Sequence, residues 1–224
     1  MKIAEIFYSI QGEGGLAGVP SIFVRASGCN LRCVWCDTPY TSWQPEGDDM
    51  SLDAILAQVD TYPQARHVVL TGGEPMIAPQ VVELTERFHA RDLHITIETA
   101  GTVFKPVVCD LMSISPKLAH STPSGPWQEP HERLRLQPDV LQRLMGAYEY
   151  QLKFVVARPE DLEEIARLLG QITGDRSRVM LMPEGIDPAT LRERAVWLAE
   201  ICKREGFRYS PRLHVDLYGN TRGT

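Results

Sequence analysis

Ser21-Ile22-Phe23-Val24-Arg25-Ala26-Ser27-Gly28-Cys29-Asn30-Leu31-Arg32-Cys33-Val34-Trp35-Cys36-Asp37-Thr38 changes character partway along. Its first six residues form a short apolar run of the kind found in buried strands. Its second part carries three cysteines at spacings of four and then three positions, enough to gather three thiolates around one centre. A structural zinc takes four protein ligands, commonly as two short Cys or His pairs. Here no histidine lies between Cys29 and Cys36, and the remaining cysteines, Cys109 and Cys202, are distant and lack paired neighbours. Soft thiolates in a close run also suit an iron–sulfur cluster. Three of them on a four-iron cube leave one iron open. A zinc completed by a remote histidine, and cysteines that merely pack or pair as disulfides, are the competing readings.

The order of strand and then polar motif repeats downstream. Thr71-Gly72-Gly73-Glu74-Pro75 follows Val68-Val69-Leu70, and Glu98-Thr99-Ala100-Gly101-Thr102 follows Ile95-Thr96-Ile97. Ser115-Pro116-Lys117 and Met182-Pro183-Glu184-Gly185 occupy equivalent places later. Strands are expected at 21–26, 67–71, 94–98, 111–115, 150–156, 179–182 and 212–216. Helices between them open at Ser51, an N-cap, and at Pro159 and run over 79–91 and 188–205, the last ending at Gly206. Alternation of this kind predicts an α/β fold with a mostly parallel sheet. A complete eight-fold barrel uses ~250 residues. The shorter chain therefore predicts an incomplete, open βα barrel: one domain over 1–224, with a short irregular insertion near 122–137 where Pro123, Pro126 and Pro130 cluster, closed by Pro138.

Composition narrows the function classes. The 224 residues are 43% hydrophobic, ample for a core, and carry 23 Lys and Arg against 29 Asp and Glu, a net charge of −6. Non-specific nucleic-acid binding needs clustered cations, so no nucleic-acid partner is expected and a small molecule is the better default. No stretch approaches the ~20 apolar residues of a membrane span and the amino terminus has no apolar leader core. Five cysteines in such a chain fit a reducing, cytoplasmic setting in which thiolates stay available to metal.

In parallel βα folds the ligand site lies beyond the carboxyl ends of the strands, where these motifs fall. Gly72-Gly73 lets backbone approach a ligand closely, or serves a turn. Glu74 binds an ammonium or caps the next helix; Lys117 holds a carboxylate or stays solvated. By pattern alone Ile10 reads as core, Gly12 as a turn, Arg25 as a strand cation, Thr38 as a turn residue and Glu98 as a strand-end acid.

Cys29, Cys33 and Cys36, with Trp35 before the last of them, resemble the C-x-x-x-C-x-x-C motif of radical S-adenosylmethionine enzymes, and Thr71 to Pro75 resembles that superfamily's GGEP motif. The resemblance implies a 4Fe-4S cluster on the three cysteines, with the open iron chelated by S-adenosylmethionine. Glu5 to Gly14, Phe23-Val24-Arg25, Cys36-Asp37-Thr38 and Leu152 to Val156 further resemble the 7-carboxy-7-deazaguanine synthase family. That family contracts the ring of 6-carboxy-5,6,7,8-tetrahydropterin with loss of ammonia, aided by magnesium.

The resemblance implies roles at matching positions. Ile10, Gln11 and Gly12 would line the pterin pocket, Arg25 would pair with the substrate carboxylate through its planar fork, and Thr71 and Glu98 would face the substrate. Thr38 would ligate Mg2+. Trp35, Cys36, Asp37, Gly73, Ser115, Pro116 and Lys117 would contact S-adenosylmethionine, with 182–185 completing that pocket. A flavodoxin-type electron donor and a homodimer are family expectations. The tail from Tyr218 to Thr224 differs from the family's short ending and is assigned no role. An activase acting on a partner protein and a zinc-stabilised binding module are the alternative functions.

Overall fold

A computed structural model describes residues 1–224. Nine strands form one sheet: β1 (Lys2–Ile10), β2 (Pro20–Ala26), β3 (Asp48–Asp49), β4 (His67–Gly72), β5 (His94–Thr99), β6 (Leu111–Ile114), β7 (Tyr150–Val156), β8 (Val179–Pro183) and β9 (Arg208–Tyr209). Their order is β3-β1-β2-β4-β5-β6-β7-β8-β9. The two ends of this row do not pair, so the barrel is open, as expected. From β2 to β9 every pairing is parallel, whereas β1 runs antiparallel to β2 and β3. Strand β1 is an addition to the expected set.

The helices are α1 (Pro39–Ser42), α2 (Leu52–Val59), α3 (Val81–His89), α4 (Gln128–Arg135), α5 (Pro138–Ala147), α6 (Asp161–Leu169), α7 (Pro188–Glu205) and α8 (Leu213–Tyr218). Their ends follow local chemistry. The Ser51 hydroxyl accepts the Ala54 N–H at the start of α2, and Asp187 caps α7 through Thr190 N–H. At the far end of α7, Gly206 takes the left-handed conformation at φ 71°. No helix is long and apolar enough to cross a membrane.

The two-residue period of the strands sorts the molecule into two faces. Ile22 and Val24 of β2, Val68 and Leu70 of β4, Ile95 and Ile97 of β5, Met112 and Ile114 of β6, and Leu152, Phe154 and Val156 of β7 join one core. Helix residues such as Ile55, Leu84, Phe88, Leu141, Ile165 and Leu198 pack into it. Residues of the opposite parity, among them Phe23, Arg25, Thr71, Glu98, Ser113, Lys153 and Val155, line a cavity on the other face. The sheet thus has a dry side held by helices and a polar side turned to a ligand space.

Two expectations are corrected. Residues 212–216 were expected as a strand, but Leu213–Tyr218 is helical and only Val215 of it is buried. Apolar residues at 213, 215 and 217 imitate strand alternation, yet the sheet ends at β9, and Pro211 separates it from the following turn. The segment near 122–137 is not irregular throughout, since Gln128–Arg135 forms α4. Pro130 sits in its first turn, where backbone N–H groups have no intrahelical partner and a proline costs little.

Candidate functional site

The cavity has a volume of about 460 Å³ and opens at the carboxyl ends of the strands. It gathers most of the residues singled out from sequence, though not Glu74, Pro116, Pro183 or Gly185. Ile10 reaches it from the end of β1, Gln11 and Gly12 from the turn that follows, and Arg25 from the end of β2. Cys29, Cys33, Trp35, Cys36, Asp37 and Thr38 come from the loop that follows β2; Thr71 lies near the end of β4 and Gly73 just after it, Glu98 lies near the end of β5, and Ser115 and Lys117 follow β6. Pro116 lies between the last two, buried and off the cavity wall. Met182 and Glu184 contribute from the β8 end.

Backbone packing explains the glycines. A Cβ on Gly73 would stand 2.1 Å from the Gly28 carbonyl oxygen, so this position joins the β4 motif to the cysteine loop. Gly73 N–H donates to Ala26 O and Glu74 N–H to Gly28 O, which ties the same two loops. A Cβ on Gly12 would overlap His214 Nδ1 at 1.8 Å, so the turn after β1 packs directly on α8.

The cysteine loop is held from several sides. Leu31 N–H donates to Cys29 Sγ at 3.4 Å, Cys36 Sγ lies 3.3 Å from Ser42 Oγ, and Trp43 Nε1 donates to Cys33 O at 2.9 Å. Trp35 Nε1 donates to His120 Nδ1 at 2.8 Å, and Arg32 N–H to His131 Nδ1 at 3.0 Å. All three cysteines are free of disulfides. Burial pushes the Cys29 thiol up to about 12 and the Cys33 thiol up to about 11, so thiolate character there calls for a bound cation. No three His, Cys, Asp or Glu side chains converge closely enough to hold a single metal ion. Three thiols on one cavity wall, with no fourth cysteine beside them, suit the thiolate ligation of an iron–sulfur cluster.

The polar wall is organised by charge. Arg25 Nε donates to Glu5 Oε1 at 2.6 Å, and its guanidinium lies 5.5 Å from the Phe7 ring centre. Thr71 Oγ1 donates to Glu98 Oε2 at 2.7 Å, leaving the other carboxylate oxygen without a protein donor. Lys117 Nζ donates to the Ser115 carbonyl at 2.7 Å and hydroxyl at 2.8 Å. Glu74, 1% exposed, accepts from Met76 N–H, Thr99 Oγ1 and Ala100 N–H. Of its two readings, the capping one holds.

Four functional candidates escaped the sequence reading: Glu13, Lys153, Arg212 and His214, all on the cavity wall. Lys153 Nζ and Arg212 Nε donate to the two oxygens of Glu13, and Arg212 Nη2 donates to Asp37. Burial alone would raise the Glu13 carboxyl, but the Lys153 ammonium and Arg212 guanidinium outweigh it and hold the group far below the usual carboxylate range. Burial depresses His214. Lys153 was open to discovery, since its parity opposes that of Leu152 and Phe154; nothing in the local sequence marks Arg212 or His214. The tail residues Asn220 to Thr224 also border the cavity.

Comparison with known proteins agrees with this geometry. The profile of the radical SAM superfamily matches residues 23–151. The 7-carboxy-7-deazaguanine synthase of Halobacterium salinarum is 46% identical, covering 100% of this chain and 93% of its own. That of Rhodopirellula baltica is 42% identical over 100% of this chain and 89% of its own. The crystal structure of QueE from Escherichia coli superposes with a TM-score of 0.72 at 29% identity, covering 93% of this chain and 92% of that one. The chain belongs to the radical SAM superfamily, whose enzymes work with a 4Fe-4S cluster and S-adenosylmethionine. Within it, the chain belongs to the 7-carboxy-7-deazaguanine synthase family.

Proposed function

We infer that this chain is a carbon–nitrogen lyase that converts 6-carboxy-5,6,7,8-tetrahydropterin to 7-carboxy-7-deazaguanine and ammonia, in the biosynthesis of queuosine and related 7-deazapurines. The observation that carries this is the meeting of the cysteine loop, the Gly73 motif, Arg25 and Glu98 around one cavity in a chain related over its full length to these synthases. The whole of 1–224 acts as one catalytic domain in this reading.

Cys29, Cys33 and Cys36 would hold the cluster. When bound, cluster and S-adenosylmethionine supply a 5′-deoxyadenosyl radical, so the protein's own task is to position the substrate and exclude side reactions. Trp35, Cys36, Asp37, Gly73, Ser115 and Lys117 line the cavity and would contact S-adenosylmethionine. Arg25, anchored through Nε, offers its two Nη groups to the substrate carboxylate. Glu98, oriented by Thr71, accepts from the amino-pyrimidine edge, and Ile10, Gln11 and Gly12 form the pocket beside it.

Thr38 is the protein ligand to Mg2+ in this reading. Asp37 is engaged by Arg212, so Thr38 would hold the ion through its hydroxyl without help from that carboxylate, and Mg2+ accepts water and substrate oxygens as further ligands. A flavodoxin-type protein supplies the electron, and the enzyme works as a cytoplasmic homodimer; both rest on kinship alone. Anaerobic reconstitution with iron and sulfide, then incubation with S-adenosylmethionine, reductant, Mg2+ and the carboxy-tetrahydropterin, tests the assignment. Cleavage of S-adenosylmethionine with no ring contraction would remove the substrate assignment.

A further inference from the structure

Arg212, the residue before α8, is 6% exposed and divides its guanidinium among three loops. Nη1 donates to Gly185 O at 2.5 Å, in the loop after β8. Nε donates to Glu13 Oε1 at 3.1 Å, in the turn that carries Ile10 to Gly12. Nη2 donates to Asp37, the residue that follows Cys36. Lys153 occupies the second oxygen of Glu13. Two buried cations thus face two partly exposed carboxylates, and the group is charge-balanced.

An ion network of this kind is weak support for stability, because desolvating the Arg212 and Lys153 cations offsets most of the attraction. Its geometry is better suited to fixing positions. Asp37 adjoins a cluster cysteine and Glu13 adjoins the pterin turn, so one rigid planar fork sets the separation between the cofactor loop and the substrate turn. A misplacement of about 1 Å at a reacting centre can cost roughly a hundredfold in rate. A lysine has the charge but not three coplanar donor directions.

We propose that Arg212 is a positioning residue that holds the cysteine loop, the turn after β1 and the loop after β8 in register, so that cofactor cleavage stays coupled to ring contraction. The coupling half of this rests on the reading given under Proposed function. The loop-fixing half stands on the geometry alone.

The test uses anaerobic, cluster-loaded Arg212→Met and Arg212→Lys with two readouts. Amide hydrogen exchange without substrate is expected to quicken together in 12–18, 36–43 and 184–187, less in Arg212→Lys. In turnover, the ratio of 5′-deoxyadenosine to 7-carboxy-7-deazaguanine is expected to rise about tenfold or more in Arg212→Met at unchanged iron content. Exchange altered only in 208–218, or an unchanged ratio, overturns the proposal. A wild-type protein that releases no 7-carboxy-7-deazaguanine defeats the substrate reading instead, and the exchange readout still decides the role of Arg212. Should Arg212→Met not fold, Glu13→Gln and Asp37→Asn loosen one loop each; quickening confined to the matching loop supports the role, and quickening in neither overturns it.

Discussion

Glu5 takes the Nε of Arg25 at 2.6 Å, and no other protein hydrogen bond reaches that guanidinium. The pair is mostly buried, with side chains 17% and 13% exposed. The anchored edge fixes the plane of the fork and leaves the other edge for a carboxylate on the cavity side.

Arg25→Ala should therefore raise the KM for the carboxy-tetrahydropterin by about 10- to 100-fold, the worth of a charge-assisted hydrogen bond of roughly 1.5–3 kcal/mol. Iron and sulfide content should not change, since no thiol is touched. Steady-state kinetics beside metal analysis checks both halves; an unchanged KM rejects the role. Arg25→Lys should recover only part of the affinity.

Arg222 lies over the Tyr40 ring at 4.1 Å and donates to Glu46 at 2.9 Å and Glu5 at 3.3 Å, while the residues around it border the cavity. Arg222→Ala should free this tail and raise KM by about threefold to tenfold, with kcat within about twofold, as suits a half-exposed ion pair. Added salt should move the wild type the same way and the variant much less. Equal salt sensitivity in both proteins would count against a role for the Arg222 ion pairs in holding the tail.

Glu74 is surrounded by three donors and cannot be removed without stranding them. Glu74→Ala should lower the thermal midpoint of the loaded protein by about 5–10 °C, corresponding to roughly 2–3 kcal/mol for a chain of this size. A shift under a degree would show that solvent reaches those donors.

His131 accepts Arg32 N–H through Nδ1 and meets Ser121 Oγ at 2.9 Å through Nε2. Burial lowers its pKa from the ordinary 6.5 to about 4. A depressed folded-state pKa means that the unfolded chain binds the proton first, so this contribution to stability is whole above pH 6.5 and is lost as pH falls toward about 4. Asn in this position retains an acceptor for Arg32 N–H without titrating. The slope of unfolding midpoint against pH between 4 and 6.5 should be shallower in His131→Asn; identical slopes would exclude the effect.

Much of this site was legible because chemistry-bearing residues follow strands whose apolar period is plain. Val68 to Leu70 and Ile95 to Ile97 announce themselves, and their motifs land on the cavity as a parallel sheet requires. The facing of Glu98 was not legible, since alternation alone does not say which parity meets the helices; packing of Ile95 and Ile97 into the core decides it. Strand β1 carries Ile3, Ile6, Phe7, Tyr8 and Ile10, a β-branched and aromatic signal that was there to be read as a strand. The carboxylates that Arg212 and Lys153 pair with were hidden for a different reason. Glu13 and Asp37 lie some 140 to 200 positions distant in sequence, and no local pattern encodes such a pairing.

The central claim is most directly tested by measuring the products of the loaded enzyme by mass spectrometry and an ammonia assay. The prediction is one ammonia for each 7-carboxy-7-deazaguanine, and none of either from a Cys29→Ala, Cys33→Ala or Cys36→Ala variant. Cluster-loaded wild type that cleaves S-adenosylmethionine yet leaves the carboxy-tetrahydropterin ring intact, or a purified protein carrying stoichiometric zinc without iron or sulfide, would contradict it.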